Sequence, residues 1–364
     1  MGQSDITVIS ADLSELSMLV TKLRAVGESD EATMAAGALG NLAIDADNRV
    51  VIAKEEGVLA ALVTMLRDGS TVGKEKAAGT LLNLAIDAEN CVAIVKEEGV
   101  LAALVALLRN HDGSTVGEEK AAGTLLNLAV DANNQVAIAK EEGMLAALVA
   151  LLRDGSMVGK EKAAGALQHL ATNAENRVSI SKEEGALAAL VALLRDSTSM
   201  AGKEKAASAL LNLANNTYNE VPIAEQDGAL AALVALLRDG SMMGKETAAG
   251  ALQNLATDAD NQVAIAKEEG ALAALVALLL RDDEIVAAGG KEKAAGALWF
   301  LAKNADNQVA IAKEEGVLAA LVTMLRDGTA TGKIMAGGAV KLLSENQGAK
   351  VTLLGLGCDA SALT

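Results

Sequence analysis

The sequence predicts an all-α protein built as a solenoid of repeated three-helix units. Three observations carry this. Ala, Leu, Glu and Lys dominate a 364-residue chain that has one proline and only 1% aromatic residues. That composition favours helix and leaves too few aromatic residues for a large sheet. A pattern of roughly 42 residues returns along nearly the whole chain. Within each copy, apolar residues recur at helical spacing.

Two markers fix the repeat. The first is an asparagine inside a leucine run, as in "GTLLNLAIDAEN", found at Asn41, Asn83, Asn127, Asn212 and Asn254, with His169, Phe300 and Leu342 at the equivalent places. Its steps are 42, 44, 42, 43, 42, 46 and 42 residues. The second is the glycine that closes "KEEG": Gly57, Gly99, Gly143, Gly185, Gly228 (as "EQDG"), Gly270 and Gly316. Where the two series overlap, their steps agree.

The unit that starts at Asp87 shows the elements in order. "DAENCVAIVKEEG" reads as a short helix opened by an Asp cap and closed by Gly99, which tolerates the left-handed backbone. "VLAALVALLR" follows as a second helix, with Leu101, Leu104, Val105 and Leu108 at i, i+3, i+4 and i+7. "NHDGSTVG" is a turn. "EEKAAGTLLNLAV" is the third helix, with Ala121, Leu125 and Leu128 as its buried stripe. Length variation falls in the turn before the third helix, as in "RDSTSMAGKE" and "RDDEIVAAGGKE", where a stack of units tolerates it. About seven such units occupy residues 45–344. Residues 1–44 read as an N-terminal partial repeat and 345–364 as a C-terminal cap and tail, so that 1–364 forms a single solenoid with protected ends.

A short helix closed by glycine, then "xLAALVxLLRDG", then "KEKAAGALxNLA", resembles the armadillo repeat over about 330 residues. The HEAT repeat is the alternative, but it usually has two longer helices where three segments are present here. The resemblance implies a right-handed superhelix whose third helices line a concave groove, roughly 60–70 Å long if helices pack about 8–10 Å apart. In armadillo proteins the asparagine of this motif holds an extended peptide by its main chain. The resemblance therefore marks Asn41, Asn83, Asn127, Asn212 and Asn254 as peptide-binding residues, with His169, Trp299 and Phe300 as further candidates in the variant units.

Helical spacing places Lys76, Gly79, Thr80, Asn83 and Asp87 on one face and turns Leu81 and Leu84 into the stack. A carboxamide offers two donors and an acceptor, matching the peptide group. A rival role is open: the same amides could tie down neighbouring backbone. Where basic-peptide grooves of the family carry tryptophan, one turn before the asparagine, this chain has Gly37, Gly79, Gly123, Gly165, Ser208, Gly250, Gly296 and Gly338. The next positions, including Ala38, Thr80, Thr124, Ala166, Ala209, Ala251 and Ala297, read as gaps in a low floor. The glycines serve either close packing or ligand access. Asp45, Asp87, Asp131 and Asp258 form a candidate acidic rail, and equally suit N-capping of the next helix. Lys76, Lys120, Lys162, Lys205 and Lys293 lie on the other lip, which leaves the ligand's charge open. Trp299 and Phe300 suggest an anchor pocket or core filling.

A formal net charge of −17 argues against nucleic acid as partner. The two cysteines, Cys91 and Cys358, are expected to be free thiols in a reducing compartment. The opening "MGQSDITVIS" has neither a basic region nor an apolar core, and Ile6 stands where myristoylation wants Ser or Thr. No apolar run is long enough for a membrane span, so the expected location is cytoplasmic, with the nucleus open. "GSTVGKEK" lacks the phosphate-loop spacing, and "DADNQVAIAKEE" lacks the glycine of a calcium loop. His111 and His169 cannot supply a repeated metal site. No catalytic set, cofactor, metal or small-molecule substrate is expected. The sequence thus predicts a non-enzymatic scaffold that binds an extended protein segment. The alternative is an assembly module that acts through self-association or its convex and end faces, with the groove unused.

Overall fold

The structure is a computed structural model that describes residues 13–24, 29–109, 114–281 and 287–358. Ile6 and the opening segment, His111 and the middle of the longest insertion lie outside the described residues. The described residues form 24 helices and no strand. Contacts divide the chain into two units, Met1–Glu184 and Gly185–Thr364.

The first unit opens with α1 (Leu13–Arg24) and α2 (Asp30–Leu42). Three triplets follow: α3 (Ala46–Lys54), α4 (Val58–Asp68), α5 (Thr71–Leu84); α6 (Ala88–Lys96), α7 (Val100–Arg109), α8 (Thr115–Leu128); α9 (Ala132–Lys140), α10 (Met144–Asp154), α11 (Met157–Leu170). It closes with α12 (Ala174–Lys182). The second unit has the same plan. It opens with α13 (Ala186–Asp196) and α14 (Met200–Leu213). Its triplets are α15 (Thr217–Ala224), α16 (Ala229–Asp239), α17 (Met242–Leu255); α18 (Ala259–Lys267), α19 (Ala271–Leu279), α20 (Ala287–Leu301); α21 (Ala305–Lys313), α22 (Val317–Asp327), α23 (Ala330–Leu343). It ends with α24 (Gln347–Gly355).

Within each unit, like helices pack on like. Third helices α2, α5, α8 and α11 lie side by side in the first unit, and α14, α17, α20 and α23 in the second. The second helices form a parallel layer that packs on the third. The core runs between these layers: Leu62, Leu104, Leu148 and Leu190 from second helices, and Leu81, Leu125, Leu167 and Leu210 from third helices, are fully buried. Leu101, Leu104, Val105 and Leu108 are buried as the spacing predicts, as are Ala121, Leu125 and Leu128.

The joints follow from backbone chemistry. Gly57, Gly99, Gly143, Gly185, Gly228, Gly270 and Gly316 all have φ between +73° and +78°, so each first helix ends where only glycine turns without strain. Third helices begin at Ser29, Ser70, Ser114, Ser156, Ser199, Ser241 and Thr329, whose hydroxyls accept from a backbone N–H. Several of these caps also reach the preceding third helix: Ser156 Oγ donates to Glu119 at 2.6 Å, and Ser114, Ser241 and Thr329 donate likewise to Glu75, Glu204 and Glu292.

At the other end of each third helix, carbonyls left over by the helix need donors. A buried asparagine in the following short helix supplies one. Asn48, Asn90, Asn134, Asn176, Asn219, Asn261 and Asn307 donate from Nδ2 to the carbonyls of Leu42, Leu84, Leu128, Leu170, Leu213, Leu255 and Leu301, at 3.0–3.2 Å. The next residue serves the neighbouring alanine carbonyl. Arg49, Gln135, Arg177, Gln262 and Gln308 donate to Ala43, Ala129, Ala171, Ala256 and Ala302. Cys91 Sγ donates to Ala85 at 3.1 Å, and burial, with Asp131 and Asp87 nearby, pushes its thiol up to about 11. Both cysteines are buried.

Glu220 stands at this position beside Ala214, buried and unable to donate while ionised. Burial raises its pKa above the ordinary glutamate value, with Asp258 adding to the rise and a hydrogen bond from Thr257 opposing it.

Two outcomes are expected. In Gly270→Ala the added Cβ meets nothing within 4 Å, so the loss of about 1–2 kcal/mol in chemical denaturation reports left-handed backbone strain alone. Glu220→Gln restores a donor and stabilises the chain by roughly 1 kcal/mol at neutral pH. Because the folded pKa is raised, wild type is destabilised as pH climbs through that value. The two proteins converge below about pH 4, where the glutamate is protonated folded and unfolded alike, and thermal melts across pH read this.

Candidate functional site

The third-helix faces carry the residues that the repeat marks. Helical spacing brings Lys76, Gly79 and Asn83 to one partly accessible face, as the sequence predicts. Thr80 departs from that prediction. It is fully buried, and its hydroxyl donates to the carbonyls of Ala36, on the preceding third helix, and Lys76. Thr124 is buried in the same way, donating to Ala78 and Lys120. Ala166, Ala209, Ala251 and Ala297 are also buried. These positions are therefore spacers between adjacent third helices rather than gaps in an open floor. Close helix packing excludes them because they lie one residue round from the glycine stripe.

Along the stripe, Asn41 is exposed, while Asn83, Asn127, His169, Asn212 and Asn254 are half-buried. Their amides are partly engaged. Asn83 Nδ2 donates to the carbonyl of Gly40 at 2.9 Å. Asn127 Nδ2 donates to Leu82 at 3.3 Å. Asn254 Nδ2 donates to Leu211 at 3.3 Å and to Asn215 Oδ1 at 3.0 Å. Each thus bridges to the third helix before it. The engaged group is the donor; Asn83 and Asn127 retain an N–H and the amide oxygen for anything laid across the face.

Asp45, Asp87, Asp131 and Asp258 cap the short helices α3, α6, α9 and α18 through Oδ1. Asp87 Oδ1 accepts from Glu89 and Asn90 at 2.9 and 3.3 Å. Asn173, Asn216, Asn304 and Asn346 perform the same role with no charge. Each carboxylate faces the positive end of its helix.

The glycines of the stripe are close-approach points. A Cβ on Gly123 would lie 3.0 Å from Leu82 and 3.3 Å from Lys162; one on Gly250 would lie 3.2 Å from Leu211. On Gly296 it would fall 2.5 Å from Gln253, and on Gly338 2.3 Å from the Trp299 ring. Leu82, Leu211, Gln253 and Trp299, each just before a ladder position, thus rest on the glycine of the next third helix. Trp299 does this at Gly338 while stacking on Phe300, with ring centroids 5.4 Å apart; Lys303 Nζ lies 4.3 Å from the Phe300 centroid. The packing explanation of these glycines is the one the geometry supports.

The first rung differs. Gly40 replaces the covering residue, because a Cβ there would lie 2.7 Å from Thr80 Oγ1. A cleft of about 180 Å³ opens, lined by Gly37, Gly40, Asn41, Lys76, Gly79, Asn83 and Lys120 among others. Ile44, Ile86 and Val130 stand exposed three residues beyond Asn41, Asn83 and Asn127. No three or more His, Cys, Asp or Glu among the described residues are grouped as metal ligands would be, and no helix among them is long and apolar enough to cross a membrane.

Residues 73–281 match the family profile described as the plant U-box protein ARM repeat region. The chain belongs to the armadillo-repeat family. No curated protein matches it. Among solved structures, this armadillo chain is similar to an engineered protein, at 26% identity and a TM-score of 0.82, over 96% of this chain and 86% of the other. It is also similar to a computationally designed armadillo repeat protein for modular peptide recognition, at 28% identity and a TM-score of 0.60, over 66% of this chain and 99% of that one. A further designed armadillo repeat protein matches at the same identity and TM-score over 66% of this chain and 100% of its own length.

One armadillo feature was missed in the sequence: the second asparagine of each unit, Asn90 and its equivalents. Its signal was present, since it stays asparagine in all seven short helices from α3 to α21, whereas the groove series changes at His169, Phe300 and Leu342. Asn90 donates to both Leu84 and Arg49 carbonyls and is buried. Asn90→Ala removes two buried hydrogen bonds and lowers unfolding free energy by about 2–3 kcal/mol, while Asn83→Ala loses one half-buried bond and lowers it by about 1 kcal/mol. Denaturant titration of the two variants separates the structural amide from the groove amide.

Proposed function

We propose that this armadillo chain is a non-catalytic scaffold that binds an extended segment of another protein along its third-helix faces. Asn41, Asn83 and Asn127 in the first unit, and Asn212 and Asn254 in the second, contact the segment's main chain. The observation that carries this reading is the recurrence of an accessible carboxamide on five of the eight third helices, with Asn83 and Asn127 bonded to the neighbouring helix through Nδ2 rather than through the amide oxygen. The similar designed armadillo protein made for modular peptide recognition supports it. Each main-chain hydrogen bond contributes about 0.5–1.5 kcal/mol, so several rungs together reach micromolar affinity, about −8 kcal/mol, after the cost of ordering the segment. His169 can take part as a donor or acceptor. Trp299 and Phe300, packed on Gly338 and on each other, shape the floor at the far end of the second unit.

A second reading draws on exposed Ile44, Ile86 and Val130: a module that assembles with copies of itself. One set of measurements separates the two. In Asn83→Ala/Asn127→Ala/Asn212→Ala, a partner captured by the wild-type chain dissociates at least tenfold faster, while sedimentation stays unchanged. The melt drops by the equivalent of the lost inter-helix bonds, so binding is compared well below the transition. A variant that keeps its partner and changes only its sedimentation would favour assembly.

A further inference from the structure

Building on the groove-binding reading, we propose that the first unit selects a segment rich in Asp and Glu, one of whose carboxylates sits in the cleft between the Asn41 and Asn83 amides and the Lys76 and Lys120 ammonium groups.

The argument begins with what glycine permits. With no side chain on Gly37 and Gly79, the lysine of the following third helix lies down across the face. Lys76 Cδ is 3.4 Å from where a Cβ on Gly37 would be, and Lys120 Cδ and Nζ are 3.3 and 3.4 Å from that point on Gly79. Lys162 lies across Gly123 in the same way, at 3.3 and 3.4 Å. Three cations are thereby laid along one face of a chain whose net charge is −17. Burial, together with the like charges of Lys76 and Lys162, lowers the pKa of Lys120, and Glu75 opposes this. An incoming anion would relieve that repulsion.

The nearby carboxylates have hydrogen-bond partners of their own. Glu75 and Glu119, beside the lysines in sequence, accept from Ser114 and Ser156 of the next third helix. Asp45 and Asp87 face the N-termini of α3 and α6. The lining of the cleft contains lysine, asparagine, threonine, leucine and glycine, and no carboxylate. Its volume of about 180 Å³ admits an Asp or Glu side chain, for which Lys76 and Lys120 supply charge and Asn41 and Asn83 supply N–H donors. Gly40 makes the space, since leucine, glutamine, tryptophan or lysine takes its place before the ladder position in later units.

Fluorescence anisotropy on the full chain tests this with three labelled peptides of about twelve residues, long enough to cross three rungs at roughly 3.3 Å per residue. They alternate alanine with glutamate, glutamine or lysine. The glutamate peptide is expected to bind tightest and to weaken as salt rises. Lys76→Glu/Lys120→Glu should weaken it at least tenfold and improve the lysine peptide; Lys76→Gln/Lys120→Gln should fall between, with circular dichroism melts confirming folding. Equal affinity for the glutamate and glutamine peptides, tighter binding of the lysine peptide, or indifference to both lysine variants would overturn the proposal. If such binding is still lost in Asn83→Ala/Asn127→Ala, the groove reading survives without it. If no peptide binds, the charge selection fails, and persistence of partner capture in the triple asparagine variant shows whether the groove reading fails with it.

Discussion

The architecture depends on satisfying the carbonyl groups at the end of each third helix. A helix leaves its last carbonyls without intrahelical partners, and burying them unpaired is costly. Here the chain turns straight from the third helix into a short one, and that helix returns two donors to the end just left. Asn48, Asn90 and their equivalents serve the leucine carbonyl, while Arg49, Gln135 and Cys91 serve the alanine carbonyl. Asn90, Asn176 and Asn307 also reach the preceding short helix. One amide thus fixes the turn within a unit and its contact with the neighbour, which couples local folding to stacking.

That coupling explains which positions vary. In seven of the eight third helices the leucine carbonyl is served by asparagine, because the amide reaches it from a buried place. The alanine carbonyl is served by arginine, glutamine or cysteine, because any donor of suitable reach suffices. Glu220 is the informative exception, an acceptor among donors whose raised pKa reflects burial. The third-helix face is organised by a different constraint. Adjacent third helices approach closely enough to bury Thr80 and Thr124, and the glycines beside them receive side chains from neighbouring helices. Where that covering side chain is itself replaced by glycine, at Gly40, the face opens into a cleft.

The three-helix units, their order and most of their boundaries were legible in the sequence because they rest on local rules. Gly57 and Gly270 announce left-handed turns, Asp87 announces a cap, and Leu101, Leu104, Val105 and Leu108 announce a buried stripe. The ladder asparagines were legible as a series, and so were the lysines. The side of the helix on which Thr80 lies was misread, since neighbours at three and four residues share a broad face and only the approach of the next helix shows which edge is buried. Asn90 was passed over because its importance lies in a carbonyl from another helix.

By itself, the sequence determined that the chain is a helical repeat, the order of its helices, and which polar residues recur in phase, because caps, turns and apolar stripes act over a few residues. Only the tertiary structure decided how those polar residues divide their hydrogen bonds. Asn90 faces inward to two carbonyls, Asn83 gives one N–H to Gly40, and Lys120 lies across Gly79, since each arrangement is set by the distance between helices about forty residues apart in sequence.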